Sequence, residues 1–400
     1  MKILQVHNYY TQAGGEDGVL QAEYELLKKN NQTVSQYIVR SGNIVPWRLA
    51  VKFLTSTHYS YQSRWEFSNV LIKEKPDIVH VHNFFPILSP SIYDACIKHG
   101  VPVVQTLHNY RIIYPNSYLY HNGKVDSRTI NQSAWLTVKD KVYHNSIAKT
   151  GVMAHFIEFH KKRNTWNLKV DKFIALTEFA KNVFVQFGIE SEKIIVKPNF
   201  QVFTEKDNAF KSFEKRGDFV LFVGRISEEK GIMSLVKEWI KHNSTIRLKI
   251  AGEGPLFNEL NNIIKQSNSA YIEVLGNQSK HEIKNLMNKA KALVFPSLWY
   301  EGFPMVLVEA LANGLPVITT SIGSQGSIIK HGTTGYHVSV DSLNKMIEYA
   351  SVLINDSNIF ENMCKNAKNE FTQKYTDVIN YDLLMNIYNK VIENNSIQKI

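Results

Sequence analysis

Short apolar strands alternate with amphipathic helices along the 400-residue chain, and the pattern starts twice. The first series opens with a strand at Lys2–Val6 and a helix at Gly18–Asn30. The second opens with a strand at Phe219–Val223, followed by a glycine turn and another helix. Such alternation builds parallel sheets covered by helices. We therefore expect an α/β protein with two doubly wound, Rossmann-like domains facing a central cleft, and ligands beyond the carboxyl ends of the strands.

A polar, charged stretch at 205–217 separates the two series of elements. It predicts a first domain over residues 1–200, a linker over 201–217 and a second domain over 218–374. Further strands of the first domain are expected at Asp77–Val81, Val101–Thr106, Lys172–Leu176 and Ile194–Lys197, with a helix at Ser91–His99. Further strands of the second are expected at Arg247–Ala251, Tyr271–Leu275, Ala292–Phe295 and Val317–Thr320.

The formal net charge of +10 is concentrated in one half of the chain. Residues 1–200 hold 24 Lys and Arg against 15 Asp and Glu, whereas residues 201–400 hold 22 against 21. A basic half favours an anionic partner, which can be nucleic acid, a phosphorylated substrate or a membrane surface. An ordinary basic surface explains the same count.

The composition excludes several classes of protein. With 44% hydrophobic and 20% charged residues, the chain is neither disordered nor a coiled coil. Two cysteines, Cys96 and Cys364, are too few for a disulfide framework or a cysteine-based metal site, and they indicate a reducing compartment. No segment approaches the roughly 18 apolar residues of a spanning helix, and MKILQVHNYY indicates a strand rather than a signal peptide.

The segment PSLWYEGFPMVLVEA places Glu301 and Glu309 eight residues apart. Pro304 suits the first turn of a helix that would carry Glu309. An acidic side chain there can accept hydrogen bonds from a ribose diol, and the loop amides at the helix N-terminus can hold sugar or phosphate oxygens. A capping loop with a surface glutamate gives the same spacing.

In its context, EGFPMVLVEALANGLPVITT followed by HGTTGYHV, the segment resembles the E-x7-E signature of retaining glycosyltransferases with the GT-B fold, particularly family 4. The resemblance implies that Glu309 binds the nucleotide ribose and that Glu301 lies beside the donor sugar. It also implies that the backbone at Gly302, Phe303 and Pro304 approaches the donor.

Arg225 and Lys230 follow the strand Phe219–Val223 in the segment FVGRISEEKG. Two cations at a strand-to-helix turn can straddle a diphosphate and neutralise charge on a leaving group, although solvated surface cations give the same pair. In family 4 these positions grip the donor diphosphate. The loop AGEGP, which contains Glu253, resembles the family's loop near the nucleotide base.

Gly14 and Gly15 follow the first strand, where exposed amides can bind a phosphate; an ordinary helix start explains them as well. The resemblance places this loop against donor phosphate or acceptor, which makes Gly15 a candidate donor contact. The charges of Glu16 and Asp17 suit a helix N-terminus but would repel a phosphate held very close. One of them is therefore a candidate for hydrogen bonding to acceptor hydroxyls.

His108 and Arg111 lie in the segment QTLHNYR, just past the strand Val101–Thr106. A lone histidine is usually structural, but this context matches the family's histidine beside the donor sugar. The resemblance therefore implies an active-site role for His108, either chemical or orienting. Arg111 is a candidate contact for acceptor or phosphate, with a structural salt bridge as the alternative.

His80 and His82 form an H-x-H on one face of a strand, as two zinc ligands would. No third ligand with suitable spacing stands out, so a structural role is favoured and no metal site is predicted. The sequence contains no D-x-D, which disfavours transferases that chelate the diphosphate through a cation. The cations Arg225 and Lys230 would take that part.

The segment Lys139–Lys172 holds eight Lys and Arg against three Asp and Glu, with Phe156, Ile157, Phe159 and Trp166 among its cations. This mixture fits the interface of an anionic membrane. An amphipathic helix docked on the domain is the alternative. Nothing else in the sequence supports a nucleic-acid site.

The resemblance implies transfer of a sugar from a nucleotide-diphosphate sugar, with retention of anomeric configuration and without a cofactor. UDP is expected as the nucleotide only because it is more frequent than GDP. The basic first half and the segment Lys139–Lys172 indicate a lipid-diphosphate-linked glycan acceptor at the inner face of the cytoplasmic membrane. The opening NYY followed by GGED resembles bacterial enzymes of capsule or O-antigen assembly, which implies a transferase of polysaccharide assembly. The alternatives are a soluble transferase acting on a free sugar or phospho-sugar, and a GT-B nucleotide-sugar epimerase. In GT-B folds the last helix often crosses back to the first domain. Residues 375–400 are expected to do so here, with Tyr375–Glu393 as the helix.

Overall fold

The computed structural model describes residues 1–10, 14–43, 46–203 and 211–397, and the chain divides into two compact units. Unit 1 comprises Met1–Leu119, Asp126–Asn199 and Asn380–Ile400; unit 2 comprises Tyr120–Val125 and Phe200–Ile379. The chain therefore passes from one unit to the other at 119/120, 125/126, 199/200 and 379/380. Of the expected linker 201–217, residues 204–210 lie outside the described residues.

Unit 1 is an alternation of strands and helices. In chain order these elements are β1 (Lys2–Tyr9), α1 (Gly15–Lys29), β2 (Thr33–Arg40), α2 (Pro46–Ser56), α3 (Tyr61–Glu74), β3 (Ile78–Asn83), α4 (Ser91–His99), β4 (Val103–Leu107), the hairpin strands β5 (Tyr120–His121) and β6 (Lys124–Val125) that group with unit 2, α5 (Arg128–Asn131), α6 (Ile147–Lys162), α7 (Thr165–Lys169), β7 (Lys172–Ala175), α8 (Glu178–Phe187) and β8 (Ile194–Val196).

The sheet of unit 1 has the order β2-β1-β3-β4-β7-β8, and every neighbouring pair is parallel. Strands β3 and β4 are buried along their whole length, as expected for a sheet covered on both faces. The strand order reverses between β1 and β3, and ligands of doubly wound sheets bind outside the carboxyl ends of the strands at such a point.

Unit 2 repeats the architecture. Its elements are β9 (Phe219–Val223), α9 (Ile232–Lys241), β10 (Arg247–Ala251), α10 (Phe257–Ser267), β11 (Ile272–Gly276), α11 (Lys280–Met287), β12 (Ala292–Phe295), α12 (Met305–Ala312), β13 (Val317–Thr320), α13 (Gly323–Ile328), β14 (Gly335–Val338), α14 (Lys345–Asn355), α15 (Ser357–Lys374) and the first residues of α16 (Asp377–Ile397).

The sheet of unit 2 has the order β11-β10-β9-β12-β13-β14, again with parallel neighbours throughout. This is the 3-2-1-4-5-6 order of the Rossmann fold, with its switch point between β9 and β12. Both units are thus parallel α/β sheets of the Rossmann type, which confirms the expected fold class.

The last helix belongs mainly to unit 1, because Asn380–Ile400 groups with the first 119 residues. It begins at Asp377, two residues later than expected. Leu384, Ile387 and Tyr388 pack in one core with Ile3 of β1. The core of unit 1 is therefore completed by residues that follow the whole of unit 2 in the sequence.

The basic segment Lys139–Lys172 folds as α6 and α7. The side chains of Phe156, Ile157 and Trp166 are buried, and Phe159 packs edge-on against the ring of His58. The interpretation of this apolar set as membrane-facing is therefore wrong, since three of its four side chains are buried inside unit 1 and Phe159 is half-buried. No helix in the described part of the chain combines the length and the apolar character that a bilayer-spanning segment requires.

Candidate functional site

The switch point of unit 2 carries the residues expected to bind the donor. The loop after β9 contains Arg225 and Lys230, and the loop after β12 contains Glu301. A backbone hydrogen bond of 2.8 Å from Leu298 N to Glu229 O ties the two loops together. The sheet topology therefore brings segments about 70 residues apart in the sequence to one edge.

Lys230 and Glu301 form an ion pair across these loops. The Lys230 ammonium donates to Glu301 Oε1 at 2.7 Å, and the hydroxyl of Ser297 donates to the same oxygen at 2.7 Å. Glu301 is 5% exposed and the Lys230 side chain 20%. The pair is shielded from water yet open on the lysine side, where an anionic ligand can reach the ammonium.

Two glycines allow the loops of this edge to approach closely. Gly231 has φ +69°, and a Cβ there would lie 2.0 Å from Pro296 O. Gly252, with φ +147°, would place a Cβ 1.9 Å from Gly224 O. Both positions therefore require glycine. Glu253 is exposed beside Gly252, and its carbonyl accepts from Ile226 N at 2.9 Å.

Arg225 is exposed and forms no ion pair or side-chain hydrogen bond with any residue that the structure describes. Glu309 is half-buried on α12, and burial raises the pKa of its carboxyl. Within the same described ranges, that carboxylate also has no hydrogen-bond partner. A cation without a protein partner is suited to bind a phosphate, and a carboxylate without one is suited to accept hydrogen bonds from two neighbouring hydroxyls.

The loop before α12 differs slightly from expectation. Pro304 is the residue preceding the helix, with φ −75° and ψ 99°, rather than a member of its first turn. Phe303 is half-buried, with its ring centroid 6.2 Å from that of Tyr375, and Gly302 is partly exposed. The helix therefore begins at Met305, directly after the loop that contains Glu301.

In unit 1 the corresponding switch point lies between β1 and β3. His7 of β1 contacts the Asp17 carboxylate at 2.8 Å through Nε2, and the other oxygen of Asp17 accepts from Gly14 N at 2.9 Å. Both oxygens of Asp17 are thus used within the fold, which argues against Asp17 as the acceptor contact. Gly15 is exposed, and a Cβ there would meet nothing within 4 Å, so packing does not require glycine.

Glu16 is the better candidate of the two carboxylates. Asn109 donates to its Oε2 at 3.1 Å, while its Oε1 is buried and has no hydrogen-bond partner among the described residues. Burial, with the charge of Asp17 adding, raises the pKa of Glu16 to about 7. A carboxyl that titrates near neutral pH can accept from, or donate to, a ligand hydroxyl.

A pocket at the carboxyl ends of β3 and β4 is lined by residues 82–84, 105–109, 111 and 112. It contains the ring of His108, whose pKa burial and the neighbouring His82 hold well below its usual value. Arg111 also lines it; its guanidinium donates to Pro115 O at 2.8 Å and lies 4.4 Å from the ring centroid of Phe85. The structure shows no salt bridge of Arg111 within the described ranges.

Beneath this pocket lies a buried polar cluster that the sequence showed only in part. His80 Nδ1 and His82 Nε2 lie 3.0 and 3.2 Å from Glu23 Oε1, and Lys197 Nζ lies 3.4 Å from Glu23 Oε2. Asn380 accepts from Lys197 at 3.0 Å. Glu23 thus lies beside the two histidines as a third potential metal ligand, which the spacing of residues in the sequence did not reveal.

This cluster fits an ion-paired network better than a zinc site. Both ring nitrogens of His80 are within hydrogen-bond distance of hydroxyls, with Tyr388 at 2.7 Å from Nδ1 and Thr106 at 2.8 Å from Nε2. The Lys197 ammonium already neutralises Glu23, and a metal ion there would face a cation. The interpretation of His80 as a structural histidine therefore suits its contacts.

The comparisons with known proteins match both units. A model of the family described as "Glycosyltransferase Family 4" matches residues 31–200, and one described as "Glycosyl transferases group 1" matches residues 203–370. The chain belongs to family 4 of the GT-B glycosyltransferases. It is therefore a glycosyltransferase, as the E-x7-E segment implied.

Individual relatives resemble this family 4 enzyme over most of their length. It is 27% identical over 337 residues to the uncharacterized glycosyltransferase MJ1178 of Methanocaldococcus jannaschii, covering 84% of this chain and 88% of the relative. It is 25% identical over 336 residues, 81% and 78% of the two chains, to UDP-Gal:alpha-D-GlcNAc-diphosphoundecaprenol alpha-1,3-galactosyltransferase of Escherichia coli. The crystal structure of Anabaena HepE in complex with UDP and glucose shares the fold, with a TM-score of 0.64 at 16% identity over 97% and 99% of the chains.

Proposed function

We propose that this glycosyltransferase moves a sugar from a UDP-sugar to a lipid-diphosphate-linked glycan with retention of anomeric configuration, in the assembly of a bacterial surface polysaccharide. The observation that carries the donor half of the proposal is the cation pair at the switch point of unit 2. Arg225 is unpaired among the described residues, and Lys230 is paired only with the shielded Glu301. UDP as the nucleotide is supported by the UDP complex of HepE.

In the proposed reaction, Arg225 and Lys230 bind the diphosphate and stabilise the charge that develops on it. Glu309 accepts hydrogen bonds from the ribose, and Glu301 with the loop Gly302–Pro304 holds the donor sugar. The bond between the anomeric carbon and the diphosphate oxygen breaks as the acceptor oxygen bonds to that carbon on the same face. The acceptor proton passes to the leaving diphosphate oxygen, so no protein nucleophile or metal ion is required.

An arginine substitution tests the donor site. Arg225→Ala should weaken UDP binding by about ten- to a hundredfold, because a charge-assisted hydrogen bond contributes roughly 1.5–3 kcal/mol. Arg247 is exposed at the opposite, amino-terminal end of strand β10, so Arg247→Ala is the matched control. Titration calorimetry measures both affinities. Equal affinities in the two variants would remove Arg225 from the diphosphate site.

The acceptor half of the proposal rests on unit 1 and on one relative. The Escherichia coli relative is named for a diphosphoundecaprenol acceptor, and the excess positive charge of this chain lies in residues 1–200. Glu16 and Arg111 are the candidate acceptor contacts. Transfer assays should compare a polyprenyl-diphosphate glycan with soluble sugars and phospho-sugars, and NMR of the product reports its anomeric configuration. Transfer to soluble acceptors alone would favour the soluble transferase.

Membrane contact is proposed through α3 rather than through α6. Tyr61, Trp65 and Ile72 are 78%, 67% and 57% exposed, and their spacing places them on one helical face. Exposed aromatic residues on a basic unit suit the interface of an anionic bilayer. Replacing Tyr61 and Trp65 by Ser should reduce sedimentation with phosphatidylglycerol vesicles, whereas Tyr271→Ser in unit 2 should not. Unchanged sedimentation would exclude this face.

A further inference from the structure

His108 has one ring nitrogen committed to the protein and one available to a ligand. Its Nε2 lies 3.1 Å from Nδ1 of His82, and the two rings are nearly parallel, with centroids 5.3 Å apart. Its Nδ1 has no hydrogen-bond partner among the described residues. One of the two facing nitrogens must carry the proton, so the tautomer of His82 determines the tautomer of His108.

The other nitrogen of His82 faces a carboxylate. His82 Nε2 lies 3.2 Å from Glu23 Oε1, although it is not aligned for a hydrogen bond. Burial by itself would raise the pKa of Glu23, but His80 and Lys197 hold it well below its usual value. Glu23 is therefore an anion that offers only lone pairs, and a lone pair on His82 Nε2 would be repelled by it.

The charges thus select one proton arrangement. Burial, with His80 adding, lowers the pKa of His82 to about 4, so its ring is neutral and carries one ring proton. That proton belongs on Nε2, toward Glu23, which leaves Nδ1 of His82 as an acceptor. His108 must then donate from Nε2, and its Nδ1 keeps a lone pair.

We propose that Glu23 and His82 are positioning residues that hold His108 in its Nε2-protonated tautomer, so that Nδ1 of His108 accepts a hydrogen bond from a sugar hydroxyl of the substrate. The functional part of this inference rests on the proposed function, because it places His108 in the transfer site. Gln5 and Lys197 keep Glu23 in place, at 3.4 Å from its Oε1 and Oε2 respectively. The tautomer itself depends only on contacts within unit 1.

The substitution Glu23→Gln reverses the proton arrangement without changing the shape of the side chain. Lys197 Nζ is a charged donor and Gln5 Nε2 a neutral one, so the amide oxygen of the new Gln stays on the side of Lys197. The amide NH2 then faces His80 and His82, and its positively polarised hydrogens favour a lone pair on His82 Nε2. The ring of His82 must carry its proton on Nδ1 instead, and His108 becomes protonated on Nδ1.

Nitrogen-15 NMR of the histidine rings in the full-length chain reports the tautomer of each ring. The signals of His108 are identified as those that are missing from the spectrum of His108→Gln. We expect the Nε2–H tautomer in the wild type, Nδ1–H in Glu23→Gln, and no change in the control Glu25→Gln, which alters an exposed carboxylate on the same helix. His82→Phe, which removes the nitrogen that faces His108, should leave a mixture of His108 tautomers and serves if Glu23→Gln fails to fold. A wild-type Nδ1–H tautomer, or no change in either variant, would overturn the inference.

Kinetics separate this inference from the proposed function. Glu23→Gln should lower kcat by about ten- to a hundredfold, as losses of supporting residues commonly do, while the affinity for UDP, bound in unit 2, stays within about twofold. A kcat equal to that of the wild type despite a changed tautomer would refute the positioning role. If the tautomers are as expected but His108→Ala retains full transfer, the placement of His108 in the proposed function fails.

Discussion

Removing Lys230 has two consequences that a double variant can separate. Lys230→Ala deletes the ammonium 2.7 Å from Glu301 and leaves a carboxylate that is 5% exposed with only Ser297 as a hydrogen-bond partner in the described contacts. Loss of one partner costs about 3–5 kcal/mol in a fully buried pair and about 0–1 kcal/mol at the surface. Since the lysine is 20% exposed, we expect unit 2 to lose about 2–3 kcal/mol.

That loss corresponds to a fall of about 4–12 °C in the Tm of unit 2, at about 2–4 °C per kcal/mol for a domain of this size. Adding Glu301→Gln to Lys230→Ala removes the stranded charge while Ser297 can still donate to the amide oxygen. The double variant should therefore regain at least half of the lost stability. Differential scanning calorimetry of the wild type, both single variants and the double variant measures this.

Activity should not follow stability in the same series. If Lys230 binds the diphosphate, neither Lys230→Ala nor the double variant transfers sugar, and UDP raises the Tm of both less than it raises that of the wild type. A Lys230→Ala variant as stable as the wild type would show that the ion pair contributes nothing. A double variant that is stable and active would exclude the lysine from the diphosphate site.

Three further outcomes are expected. Glu309→Gln should weaken UDP binding by about tenfold in calorimetry, because a neutral amide is a poorer acceptor for the ribose hydroxyls, whereas Glu259→Gln on α10 should leave it unchanged. Gly252→Ala should destabilise unit 2 by several kcal/mol, because its Cβ would lie 1.9 Å from Gly224 O. Gly332→Ala, with φ +72° and open space around its Cβ, should cost only about 1 kcal/mol. Chemical denaturation measures both losses, and similar values would contradict the close approach at Gly252. The pKa of Glu16 is raised to about 7 from an ordinary 4.5. Relative to Glu16→Gln, the wild type should therefore lose stability as the pH rises from about 4.5 to 7, and the difference in stability should be constant above that range. Parallel Tm curves of the two proteins from pH 4 to 8 would show that the pKa of Glu16 is not raised.

The strands of unit 2 could be predicted closely from the sequence. Phe219–Val223, Arg247–Ala251, Ala292–Phe295 and Val317–Thr320 have the bounds that their short apolar runs indicated. In a parallel sheet covered on both faces these runs are continuous and end sharply at polar or glycine residues. The edge strand Thr33–Arg40 was not predicted, because most of its side chains are half-buried. Its sequence therefore shows neither the alternation of apolar and polar residues nor the continuous apolar run that indicates a strand.

The candidate site could be predicted only where a motif is local. Glu301, Lys230 and His108 each follow a strand, and the carboxyl ends of parallel strands share one edge of a sheet. Glu23 gave no such signal, since a glutamate inside a helix is ordinarily solvated, and only the tertiary packing turns it toward His80 and His82. For the same reason the sequence suggested a membrane-facing role for Phe156 and Trp166, because composition does not tell which side of a helix packs inward.

The return of Asn380–Ile400 to unit 1 affects how the chain folds during synthesis. Lys197 is bonded to Asn380 and His80 to Tyr388, so the cluster around Glu23 lacks two members until the ribosome has translated all of Phe200–Ile379. Until then, unit 1 exposes the apolar surface that Leu384 and Ile387 later cover. Exposed apolar surface of this kind makes a nascent chain prone to aggregation. Unit 2, which is nearly continuous in sequence, can complete its own sheet first, and the histidine cluster becomes fully formed only in the finished chain.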